Sequence, residues 1–166
     1  MSFSPSSELN REIYLFFIMS TLDEKLSVQN TQKVVAFLKS RFQSEKNQDE
    51  KVIRKQALFK SIELWEQFSK QILGQRQKTV VSKNDKASPA MNWTNQLIGI
   101  QPNVMSTWNK FSRQARPEEI LAILVTRILK FSEEDLSTAQ SVTLGTIRFR
   151  ISRAAKLLGI CAEDQS

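Results

Sequence analysis

Four cations stand within nine residues near the end of this chain: Arg148, Arg150, Arg153 and Lys156. No acidic residue interrupts the sequence between Leu136 and Ala162. Such a run is either a solvated helix face or a surface built to meet a polyanion. At a helical pitch of about 100° per residue, Leu144, Ile147, Ile151, Ala154 and Leu158 fall on one side of residues 144–158, and they are expected to be buried. Thr146, Phe149, Arg153 and Lys156 fall on the other side, flanked by Arg148 and Arg150. Thr143 is placed to cap this helix, and Gly145 would let a phosphate approach its first amides. Gly145 also has a plainer reading, as a capping-turn glycine.

Upstream, Ser132 with Asp135 three residues later forms a capping-box pattern that starts a short helix ending near Gln140. Leu136 and Ala139 should face inward, and Val142 should plug the turn. Glu133, Glu134 and Asp135 sit where carboxylates stabilise a helix dipole, a better account of them than catalysis. A short helix, a tight turn and a second helix with a cationic outer face is the layout of a helix-turn-helix whose second helix enters the major groove.

The residue order in SEEDLSTAQSVTLGTIRFRISRAAKLL resembles region 4 of bacterial sigma factors, especially the extracytoplasmic-function type. That pattern reads roughly S-x-E-E-I-A-x-x-L-G-V-S-V-G-T-V-K-S-R-L-x-R-A-R-x-x-L, and V-T-L-G-T-I-R-x-R-I-S-R-A is its most specific part here. With the preceding PEEILAILVTRILKF, the resemblance covers about residues 104–160. It implies a DNA-binding transcription regulator, a divergent sigma factor, that meets promoter-like duplex DNA through Thr143, Gly145, Thr146, Arg148, Phe149, Arg150, Arg153 and Lys156. Three departures stand out: Gln140 replaces an apolar residue, Ser141 a turn glycine, and Phe149 a small polar residue. An exposed phenyl ring suits a thymine methyl, or a protein partner, or neither. An alternative therefore stays open: a sigma-like interaction protein that mimics region 4 to hold another regulator, of the anti-sigma type, without binding DNA. FKSIELWEQF, residues 59–68, is similar to the polymerase-binding helix of sigma region 2. However, the VIRKQ before it is basic or apolar where that family is acidic, and QRQKTVVSKND follows where an aromatic-rich melting segment is expected. Trp65 and Phe68 read better as core residues, and a contact with RNA polymerase is only what the resemblance implies.

The rest of the chain supplies the scaffold. Its 166 residues carry 24 Lys and Arg against 17 Asp and Glu, a formal net charge of +7, with a pI of about 9.7. Apolar residues make up 40% of the chain, while Gly and Pro number only four each, which favours an all-α fold over a turn-rich sheet. One cysteine, Cys161, excludes an internal disulfide and suits a reducing compartment. There is no histidine, so Cys/His zinc sites and histidine general-base chemistry are excluded, and no cofactor or enzymatic constellation is expected. The apolar run Ile13 to Met19 is too short to span a bilayer and lacks signal-peptide flanks, so the expectation is cytoplasmic, with no membrane partner.

The helix periodicity predicts elements from Glu8 (capped by Ser7) to about Asp23, from Gln29 to Ser44, and from Glu50 to Leu73 with Gly74 as the stop. It then places Trp93, Leu97, Ile98, Val104, Trp108 and Phe111 on one apolar spacing, and a helix over Glu118 to Lys130 led by Pro117. Residues 1–7 read as a disordered leader. The expected organisation is a helical module over 8–74, related at most to a diverged sigma region 2; a mobile linker over 75–92; and a helix-turn-helix domain over 93–162.

Overall fold

A computed structural model describes residues 3–44, 49–78 and 102–164. All regular structure among these residues is helical. No described helix is long and apolar enough to cross a membrane. The chain divides into two compact units, Met1–Gln67 and Phe68–Ser166.

In the first unit, α1 (Ser7–Thr21) begins one residue earlier than its sequence suggests, because the Ser6 hydroxyl, not that of Ser7, accepts from the Leu9 amide at 3.1 Å. Ile13, Phe16, Phe17, Ile18 and Met19 are all buried, so the last turns of α1 are enclosed on every side. Leu22 ends the helix in the left-handed region at φ 53°, and its amide donates back to Ile18 O. Asp23 then caps α2 (Glu24–Phe42) through Leu26 N at 2.9 Å. Thus α2 starts five residues before the predicted Gln29. Its buried seam is Val34, Leu38 and Phe42, with Val35 and Phe37 half-exposed. The third helix, α3 (Glu50–Lys78), places Ile53, Ala57, Leu58, Ile62 and Trp65 in the core. Arg54 Nε meets both oxygens of Glu12, at 2.9 and 3.0 Å, and so ties α3 to α1. Gly74 is not a stop, because the helix continues to Lys78. The remainder of the predicted linker, residues 79–92, and Trp93, Leu97 and Ile98 lie outside the described residues.

In the second unit, α4 (Pro102–Gln114) buries Met105, Trp108 and Phe111. Trp108 and Phe111 face inward as expected, whereas Val104 is 51% exposed and Met105 takes the inward place in that turn. Pro117 opens α5 (Pro117–Ile123) as expected, and every residue from Ile120 to Val125 is buried. The single stripe predicted over 118–130 is instead an enclosed core segment. It is also not one helix: Leu124–Ile128 widens into a π-helical turn, closed by Leu129 N to Leu124 O at 2.9 Å, and Lys130 leaves it at φ 60°. Two further helices follow, α6 (Glu133–Gln140) and α7 (Leu144–Glu163). α7 packs against α4, α5 and α6. Leu136, Ile147, Ile151, Ala154 and Cys161 face that core, while Leu144 and Leu158, predicted as core, are only half-buried. Each fully buried aliphatic side chain, Leu136 and Ile147 among them, contributes about 1.5–3 kcal/mol to holding the last two helices down.

Candidate nucleic-acid interface

The junction of α6 and α7 is built by short polar side chains. Ser132 caps α6 by accepting from Asp135 N at 3.0 Å. Ser141 ends α6 in the left-handed region, φ 53° and ψ 42°. Val142 N donates to Ser137 O at 3.1 Å, and the Ser137 hydroxyl donates to Val142 O at 2.5 Å, so one serine clips the turn from both directions. Thr143 then caps α7, its hydroxyl accepting from Thr146 N at 3.2 Å and lying 3.0 Å from the Thr146 hydroxyl. Three residues, Ser141 to Thr143, therefore join the helices.

Gly145 is the second residue of α7 and is exposed. A Cβ placed there would meet nothing nearer than Thr143 Oγ1 at 3.8 Å, an ordinary contact, and its φ is not positive. Neither strain nor packing requires glycine at this place in the capping turn. The Thr143 hydroxyl satisfies one of the first amides of α7. Among the described residues those of Leu144 and Gly145 have no acceptor, at the positive end of the helix dipole.

The cationic side chains are less free than their spacing suggests. Arg148, 64% exposed, donates Nε to Glu133 Oε2 at 2.8 Å. That bond raises its pKa further, so Arg148 is charged at every working pH. Arg150 donates Nη1 to Gln140 Oε1 at 3.0 Å, which gives the unexpected glutamine a role. Arg153 sets Nε 3.2 Å from Glu119 Oε1 and lies 5.8 Å from the centre of the Phe149 ring. Lys156 is exposed and, among the described residues, meets no acidic group. Thr146 is half-buried, whereas it was expected to be largely exposed. Phe149 is 62% exposed, more than any other large apolar residue in the described chain.

The carboxylates that hold these arginines were not legible as site residues. Glu119 is buried, and its second oxygen accepts from Arg116 N at 3.0 Å, so it both caps α5 and anchors α7. Its place three residues after Arg116, next to Pro117, signals the cap, but nothing local signals Arg153. Glu133 stands in the first turn of α6, as its dipole role requires, and pairs with Arg148 fifteen residues on. Among the described residues no group of His, Cys, Asp and Glu is placed to hold a metal ion. The eight residues expected to meet DNA all lie on the α7 cap or helix, and what the surface offers is a capped helix N-terminus, tethered guanidinium groups and one exposed phenyl ring. No protein-family model, no curated protein and no solved structure matches the chain.

Proposed function

We propose that α6, the three-residue turn and α7 form a helix-turn-helix that binds duplex DNA, and that the chain is a transcription regulator of the sigma-factor kind. The observation that carries the reading is the N-terminal turn of α7. It combines the exposed, sterically unneeded Gly145 with amides that lack acceptors, beside a helix whose only charged groups before Glu163 are positive. An anion approaching that end gains both the amides and the dipole. The buried inner face of Ile147 and Ile151 fixes which side of α7 is presented. On this reading the partners are promoter-like DNA and, through the resemblance of residues 59–68, RNA polymerase. The test is fluorescence anisotropy with random-sequence duplex across a salt series. With about three or four phosphates neutralised, log K falls against log salt with a slope of roughly −3. A slope near zero counts against the reading.

One observation favours a second reading, in which α7 imitates region 4 to hold another regulator: the exposure of Phe149, 62%. Exposed apolar groups of this size often mark partner sites. Phe149→Ser separates the two. A DNA binder keeps its general affinity and changes at most its sequence preference, whereas a mimic loses its protein partner and shows no DNA affinity before or after the change.

A further inference from the structure

Arg148 and Arg153 both stand beside a carboxylate, but only Arg148 is hydrogen-bonded to it. Arg148 donates Nε to Glu133 at 2.8 Å, while Arg153 forms an ion pair with Glu119, Nε to Oε1 3.2 Å. Among the described residues neither commits a terminal nitrogen to a hydrogen bond. A guanidinium carries five donors in one rigid plane, one on Nε and four on the terminal nitrogens. A carboxylate that takes Nε therefore fixes the plane and leaves the terminal fork open. The two anchors are themselves fixed. The Glu119 side chain is 7% exposed and its other oxygen is occupied by Arg116 N. Glu133 sits in the first turn of α6, where the dipole favours its charge. The Phe149 ring beside Arg153 limits that arm further.

We infer that Glu133 is a positioning residue for DNA binding: it holds Arg148 through Nε so that the terminal nitrogens meet a phosphodiester as a preformed fork. This rests on the DNA-binding reading of α7 and changes its detail. Arg148 and Arg153 then become phosphate contacts, because guanidinium groups drawn back onto α6 and α5 lie along the protein surface. Base reading then falls to Thr146 and Phe149.

Each carboxylate also repels a phosphate, so charge and positioning must be separated. Glutamine keeps an acceptor oxygen for Nε and removes the charge; alanine removes both. Anisotropy at low salt with one short duplex is measured for wild type, Glu133→Gln and Glu133→Ala, and for both substitutions in an Arg148→Ala background, with thermal melts confirming folding. Glu133→Gln binds as tightly as wild type or more tightly. Glu133→Ala binds about 2- to 10-fold more weakly than Glu133→Gln, the cost of re-ordering one long side chain. In the Arg148→Ala background the two bind equally, because the effect of Glu133 passes through Arg148. Equal affinities for Glu133→Gln and Glu133→Ala with Arg148 present, or a difference that survives Arg148→Ala, overturn the positioning role of Glu133. A wild type that binds no duplex overturns the DNA reading, and this inference with it.

Discussion

Gly145→Ala is expected to move folding and DNA binding in opposite directions. The glycine stands at the second position of α7, is exposed, and has no positive φ to accommodate. An added Cβ makes one ordinary contact, 3.8 Å from Thr143 Oγ1, so the methyl introduces no strain. Alanine is favoured over glycine by about 1 kcal/mol inside a helix, and somewhat less in the first turn, so the gain is about 0.5–1 kcal/mol. For a unit of this size that raises the melting temperature by about 2–8 °C. The same methyl stands where a phosphate must come to reach the open amides of Leu144 and Gly145. Loss of a charge-assisted hydrogen bond there costs about 1.5–3 kcal/mol, roughly a 10- to 150-fold rise in Kd. Differential scanning fluorimetry and anisotropy on the same preparation read both quantities. A variant that melts higher and binds duplex as wild type does would refute the placement of a phosphate at this helix end. A variant that melts lower would refute the account of why glycine is dispensable to the fold.

Three further substitutions probe the scaffold. Ser141→Gly relieves the left-handed residue of the turn, φ 53°, and should stabilise the protein by about 0.5–1 kcal/mol in urea melts, with no effect on the salt slope of DNA binding. Arg153→Ala strands the buried Glu119 carboxylate. Because Arg153 is 47% exposed, the loss should be about 1–3 kcal/mol, below that of a fully buried pair. Cys161 is fully buried, and burial pushes its thiol pKa up, Asp164 adding to the rise and Lys110 opposing it. A group with a raised folded pKa stabilises fully below its unfolded value, about 8.5 for a thiol. Stability should therefore fall as pH climbs above that value toward the folded pKa, and the melting temperature of Cys161→Ala should show a shallower alkaline decline.

The sequence was most informative where structure is made locally. Ser132, Thr143 and Pro117 start helices where their types place them, because a cap or a first-turn proline acts within four residues. The inner face of α7 was legible from Ile147 and Ile151 for the same reason: period alone sets it once the helix exists. The start of α2 was readable but missed. Its apolar seam begins only at Val34, while the true signal was the cap pair Asp23 and Leu26. In the first turn of α4 the chain offers two adjacent apolar residues, Val104 and Met105, and packing alone decides that Met105 is the buried one. The π-helical turn at Leu124–Ile128 has no local breaker to announce it. The tethering of the arginines was beyond reach. Glu119 and Arg153 lie on different helices, and only the packing of α7 on α5 brings a buried cap residue within 3.2 Å of that guanidinium. A cationic face read from charge spacing alone therefore looks freer than it is.

The central claim, that the N-terminal turn of α7 meets the DNA backbone, is tested most directly by amide chemical shifts during titration with a short duplex at low salt. The account predicts dose-dependent movement of the amides from Thr143 to Phe149, largest at Leu144 and Gly145, together with the side-chain signals of Arg148 and Arg153. Folded protein whose α6 and α7 amides stay in place at saturating duplex would contradict it.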